Sequence, residues 1–264
     1  MKLVVVGDTL LDIDVVGTVS RLCPDAPAPV LDVVGEHARA GGAALAAAMA
    51  ARDGVDVTLV SALSEDETGE RLRSLVDVPR VFGRAASVPV KTRLRCDGTS
   101  LARVDRGGGS EAPQVTDDML DVVLSADFVL ASDYGRGLLR DERLRAVLTR
   151  VPVVWDPHPR GPAPVPGVRL ATPNLSEATA FSGTADPDEA AAKLLSDWQV
   201  VVLAGAGRGG DDGRKGRIAP LWRDAGRRSR ARCSGSRSVW SGGQVRRDGR
   251  RPAGRGCRSG RRRC

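Results

Sequence analysis

Five short apolar runs, each separated from the next by a stretch with helical spacing, constrain this chain more than any other feature. The runs are Lys2 to Val6, Val55 to Ala62, Phe128 to Ala131, Val151 to Trp155 and Gln199 to Ala204. Between them lie Ala43 to Arg52, Asp66 to Val76, Asp117 to Ser125, Asp141 to Thr149 and Asp188 to Leu195. An apolar run without alternation suits a strand buried on both faces, and strands that alternate with helices build a parallel sheet covered on both sides. The expected class is α/β, with a doubly wound, mostly parallel sheet.

Two segments break the alternation. Pro89 to Cys96 and Thr99 to Asp105 flank Asp97-Gly98, the dipeptide favoured where both central residues of a tight hairpin need positive φ. Asp14 to Val34 carries prolines at 24, 27 and 29 among β-branched residues, which suits edge strands standing off the main sheet. Together they predict a small β lid over the carboxyl ends of the parallel strands.

Charge divides the chain in two. Residues 1–207 carry a net −8 and residues 208–264 a net +15, so the overall +7 belongs to the C-terminal stretch. That stretch holds only Ile218, Leu221, Val239 and Val245 from Leu, Ile, Val and Phe, too few for a packed core. Residues 1–207 are therefore expected to form one domain and 208–264 a disordered Arg/Gly-rich tail. Two readings of the tail compete: an arginine-rich arm that binds nucleic acid, or a GC-rich gene translated out of register. No run approaches the ~20 apolar residues of a membrane span, and the N-terminal run is too short for a signal peptide, so a soluble, cytoplasmic protein is expected. The five cysteines form no C-x-x-C pair, and two histidines do not furnish a zinc site.

Five motifs fall at predicted strand ends, on one edge of one sheet, where open α/β sheets bind ligands. GDTLLD places Asp8 and Asp12 after the first strand, where carboxylates accept hydrogen bonds from sugar hydroxyls or simply cap a turn. GGAAL opens a helix with Gly41 and Gly42, letting backbone approach a ligand or merely pack closely. SDYGRG (Ser132 to Gly137) and Asp156-Pro157 end two further strands. TPNLSE has Asn174 and Glu177 at the spacing of a capping box, which alone accounts for both residues.

In order along the chain, GDTLLD, SRLCPDAPAPV (Ser20 to Val30), GGAAL, KTRLR (Lys91 to Arg95), SDYGRG, Asp156-Pro157 and TPNLSE resemble the PfkB, or ribokinase-like, carbohydrate kinases. Within that family they are most similar to the heptose 7-phosphate kinase half of bifunctional ADP-heptose synthesis enzymes. The resemblance covers residues 3 to about 203. It implies ATP-dependent phosphorylation of a heptose phosphate, with another sugar or a nucleoside as the alternative acceptor. It places the sugar against Asp8, Asp12, Gly41 and Gly42. ATP falls at Asn174, Leu175, Ser176 and Glu177, with Glu177 assisting Mg²⁺ indirectly and Asp133 beside the phosphates. It also implies a homodimer formed through the β lid.

Three departures from the family pattern stand out. Leu45 occupies the position from which the family's Gly-Gly helix gives an asparagine to the sugar. Arg136 replaces the usual lysine, keeping the charge with different geometry. The G-A-G-D motif, whose amides stabilise the transferring phosphate and whose aspartate takes the hydroxyl proton, has no counterpart: Arg208 follows Gly205-Ala206-Gly207, so no catalytic base is assigned and little or no activity is expected. Gly205 to Gly210 also satisfies G-x-G-x-x-G. Asp-Asp-Gly-Arg-Lys-Gly follows it in place of helical spacing, and Asp224 lies in a stretch with no apolar run, so a dinucleotide site is not expected.

Overall fold

A computed structural model describes residues 1–109 and 111–198 in full and residues 201–202 by their backbone. The tail, most of the Gln199 to Ala204 run and the Gly205 to Gly210 motif lie outside the described residues. In chain order the elements are β1 (Lys2–Gly7), β2 (Thr9–Leu22), β3 (Pro29–Gly42), α1 (Ala43–Arg52), β4 (Asp56–Leu63), α2 (Glu67–Leu75), β5 (Arg80–Arg84), β6 (Val90–Cys96), β7 (Thr99–Arg106), α3 (Asp117–Leu124), β8 (Phe128–Ser132), a 3₁₀ turn at Leu138–Arg140, α4 (Glu142–Leu148), β9 (Val153–Asp156), β10 (Leu170–Ala171), α5 (Leu175–Ser182), α6 (Pro187–Trp198) and β11 (Val201–Val202).

Seven strands form an all-parallel sheet in the order β11-β10-β9-β8-β1-β4-β5. The chain leaves β1 toward β4 and β5, then returns to add β8 and its successors on the other side. That reversal is a topological switch point, and the crevice at the carboxyl ends of β1 and β8 is where such sheets bind ligands.

Alternation along β1 sorts the helices onto two faces. Val4 and Val6 join Val60, Val129, Ala131, Val153 and Trp155 under α3, α4, α5 and α6, which contribute Met119, Val123, Leu144, Leu148, Ala178 and Leu194. Val5 faces the other way with Val57 and Leu59, and there Ala43, Ala44 and Ala47 of α1 pack closely. The alanines of α1 let its backbone approach the sheet, so the Gly41-Gly42 turn is held against the strand ends.

Local signals account for the helix starts. Asp66 and Asp141 are N-caps rather than first helical residues, their side chains accepting from the Gly69 and Leu144 amides. Asp186 accepts from the Asp188 and Glu189 amides ahead of α6, which begins at Pro187, one residue before the expected Asp188.

The second sheet, in the order β3-β2-β6-β7, is the expected lid. Asp97 and Gly98 both adopt positive φ, 48° and 78°, joining β6 to β7. The lid strands are much longer than expected: β2 begins at Thr9, so Asp12 lies within a strand and not in a loop. One lid face, with Leu11 and Ile13, packs on Leu63, Leu72 and Val88. Among the described residues, no helix is long and apolar enough to cross a membrane.

Candidate functional site

The carboxyl ends of β1, β8 and β9, the Gly41-Gly42 turn and the polar face of the lid converge on one crevice. Asp8, at the junction of β1 and β2, is almost fully buried. Its Oδ2 accepts from the backbone N–H of Tyr134 at 3.1 Å and of Arg136 at 2.8 Å, and its Oδ1 from that of Leu138 at 3.4 Å. Asp8 therefore shapes the loop after β8. Gly135 and Gly137 take φ of 70° and 103° there, conformations that favour glycine. Burial raises the Asp8 carboxyl above its usual range, and the three backbone donors offset only part of that rise.

Asp12 is also buried, and its Oδ1 accepts from Arg93 Nη1 at 2.6 Å. Two residues on, Asp14 accepts from Arg39 at 2.7 Å, and Arg95 lies 3.5 Å away. The Arg39 hydrogen bond holds Asp14 below the ordinary carboxylate range. Strand register puts all of these on one face: Asp12 is paired with Lys91 and Arg39, Asp14 with Arg93, and Lys91 with Asp105. The lid thus turns a charged face, rich in cations, away from its apolar one. Lys91 is half-buried, which lowers its pKa, and its Nζ sits 5.4 Å from the centre of the Tyr134 ring. Tyr134 itself lies within electrostatic reach of Asp12, Asp156 and Glu177, so it connects the lid side of the crevice to the α5 side.

The Gly41-Gly42 turn has no room for side chains. A Cβ on Gly41 would fall 2.6 Å from Asp12 Oδ2 and 2.5 Å from Leu10 Cδ1, and one on Gly42 would strike the Asp8 carbonyl. Asp12 and this turn therefore form one unit. Leu45, on the first turn of α1, is 40% exposed and offers no hydrogen bond.

On the other side, Asp133 is buried; its Oδ1 accepts from the Gly135 amide at 2.7 Å while Oδ2 finds no partner. Burial pushes its carboxyl up to about 7, with the charges of Asp8 and Asp156 adding to the effect. Asp156 is raised to about 6 by burial and by Glu177, while Thr172 donates to it. Asn174 and Glu177 form the capping box read from the sequence: Glu177 N donates to Asn174 Oδ1 at 3.0 Å and Asn174 N to Glu177 Oε2 at 2.7 Å. Leu175 and Ser176 lie between them on the first turn of α5. Among the described residues, no three His, Cys, Asp or Glu side chains are arranged to hold a metal directly.

No family model matches the chain. Among curated proteins, the bifunctional protein HldE of Streptomyces coelicolor is 46% identical over 219 residues, which span 76% of this chain and 45% of that protein. HldE of Hyphomonas neptunium is 30% identical over 239 residues, 80% of this chain and 49% of that protein. Among solved structures, ribokinase of Arabidopsis thaliana complexed with ribose and ATP superposes with a TM-score of 0.54 at 23% identity, covering 78% of this chain and 72% of that one. The chain has the ribokinase-like fold. Phosphofructokinase-2 of Escherichia coli in complex with fructose-6-phosphate shares the fold, with a TM-score of 0.54, 18% identity and coverage of 78% and 73%. The chain spans about half the length of the curated relatives it matches.

Within this ribokinase-like framework, the expected site residues fall into two groups. Asp8, Asp12, Gly41 and Gly42 are contiguous under the lid, while Asn174, Leu175, Ser176 and Glu177 begin α5 beyond β10. Asp133 stands between them at the end of β8. Sequence reasoning missed Arg93 as the partner of Asp12 and Tyr134 as the connection between the groups. The two-residue spacing of Lys91, Arg93 and Arg95, matched to that of Asp12 and Asp14, carried the first signal.

Proposed function

We propose that the chain is the sugar kinase portion of an ADP-heptose synthesis enzyme, binding a heptose phosphate such as D-glycero-D-manno-heptose 7-phosphate, with ATP as phosphoryl donor. The observation that carries this reading is the unit of Asp12 and the Gly41-Gly42 turn, set at the switch point of a parallel sheet and roofed by the charged lid face. Asp12 accepts hydrogen bonds from vicinal hydroxyls, the Gly-Gly backbone gives the ring close approach, and lid cations offset the charge of a phosphorylated acceptor.

The α5 side fits a nucleotide and its cation. Glu177 sits near enough to Asp156 to help raise its carboxyl, a repulsion that a divalent ion relieves. Glu177 is half engaged in the capping box, which suits an indirect role through water. When bound, Mg²⁺ offsets charge on the transferring phosphate. The first-turn amides of α5, at Leu175 and Ser176, favour an anion.

The same reading includes slow or absent turnover, because this sequence carries no counterpart of the family's G-A-G-D motif, Gly205-Ala206-Gly207 being followed by Arg208. Calorimetric titration of the purified chain with the heptose phosphate, alongside a coupled assay of ADP release, tests both parts. Saturable binding with little or no ADP release supports the reading, and absence of binding refutes it.

A further inference from the structure

Along the charged face of the lid, the arginines do not bond to the residues they stand directly across from. Asp12 is opposite Arg39 on β3 and Lys91 on β6, and Asp14 is opposite Arg93. Arg39 nevertheless bonds to Asp14, and Arg93 to Asp12, each one step along β2 from its own register partner. Arg95, opposite Val16, leans back to Asp14 in the same way. Lys91 instead stands over the Tyr134 ring.

These diagonal pairs share the cations unequally. Asp14 Oδ2 has two arginines, at 2.7 and 3.5 Å, and its Oδ1 is sealed from water without a partner. That carboxylate is committed to tying β2, β3 and β6 together. Asp12 has three cations beside it but a single ion-pair partner among the described residues, Arg93 Nη1 at 2.6 Å from Oδ1. Its Oδ2 bonds to no described residue and stands at the Gly41 backbone, where a Cβ would come within 2.6 Å of it.

A carboxylate on a strand turns about two side-chain torsions, and one short charge-assisted hydrogen bond from the neighbouring strand restricts both. Because Arg93 engages Oδ1 alone, it sets the direction of Oδ2 without occupying it. We propose that Arg93 is a positioning residue for sugar binding: it holds Asp12 so that Oδ2 faces the Gly41-Gly42 turn as the acceptor for a hydroxyl of the sugar. Arg93 acts through Asp12 and does not itself touch the sugar. This role rests on the sugar kinase reading above and adds to it the group that aims the binding carboxylate.

The test is a double-mutant cycle on the full chain, titrated with D-glycero-D-manno-heptose 7-phosphate by calorimetry, with a urea midpoint recorded for every variant. Arg93→Met is expected to weaken binding ~10-fold or more, and Arg93→Lys, which keeps one charged donor for Oδ1, to stay within ~3-fold of wild type. In an Asp12→Asn background, Arg93→Met is expected to change affinity by less than ~2-fold, because the group it acts through is already lost. Arg21→Gln, which removes the exposed lid pair with Asp32, is expected to bind as the wild type does. Should Arg93→Met not fold, Arg93→Gln takes its place in the cycle with the same expectations. Equal affinity of the wild type and a folded Arg93→Met chain overturns the role. So does a ~10-fold loss repeated in the Asp12→Asn background, since Arg93 would then meet the ligand itself. No binding to the wild type refutes the kinase reading and this role together, whereas wild-type binding that the Arg93 variants share refutes the role alone.

Discussion

The carboxylate of Asp8 accepts the backbone N–H of Arg136 at 2.8 Å, tying together residues 128 positions apart. With the bonds from Tyr134 and Leu138, this makes Asp8 the organiser of the loop that ends β8, and it fixes where Asp133 and Arg136 stand. Asp8→Ala leaves one buried and two partly buried amides without this acceptor, and unfolding in urea is expected to show a loss of about 2 kcal/mol or more. Asp8→Asn keeps one strong acceptor and is expected to lose about half as much. Wild-type stability in Asp8→Ala would contradict the assignment.

Asp133 makes stability depend on pH. Its carboxyl is pushed up to about 7 in the folded chain, against 3.8 in the unfolded one. Between those values the folded state holds a proton that the unfolded state has released. Stability from this group therefore falls as pH rises from about 4 to 7 and is level above. Asp133→Asn removes the dependence. It is expected to be more stable than wild type by roughly 1–3 kcal/mol at pH 8 and nearly equal to it at pH 4.5, as read from denaturation midpoints.

Gly41 leaves the room that Asp12 occupies. Gly41→Ala would displace the Asp12 carboxylate or the Leu10 side chain, and it is expected to cost ~1–3 kcal/mol and to weaken sugar binding at least 10-fold. Calorimetry on the folded variant separates the two effects.

Leu45 is exposed and makes no polar contact at the opening of α1. Leu45→Asn is expected to leave stability within about 0.5 kcal/mol of wild type and to tighten sugar binding several-fold by supplying an amide toward the crevice. Unchanged affinity would place the sugar away from this turn.

The parallel sheet, the Asp97-Gly98 hairpin and the Asn174–Glu177 capping box were legible because each rests on local chemistry: apolar runs, positive φ and a three-residue spacing. The long strands β2 and β3 were not. Leu11, Ile13 and Val15 alternate with Asp12, Asp14 and Val16, yet the register shifts at Val16/Gly17 and Val19/Arg21 interrupt the period. The short strands β5 and β10 hold too few residues to show one. Asp12 and Arg93 lie 81 residues apart, and only the parallel pairing of β2 with β6 brings them together. Nothing in the segment around Asp8 announces the three amides that reach its carboxylate from residues 134–138.

The most direct test of the central claim is calorimetric titration of D-glycero-D-manno-heptose 7-phosphate into the wild-type chain and into Asp12→Asn. One saturable site per wild-type chain, weakened at least 10-fold by the substitution, is the expected result. No saturable binding to the wild type, or equal binding to both, would contradict the assignment of this crevice to a phosphorylated sugar.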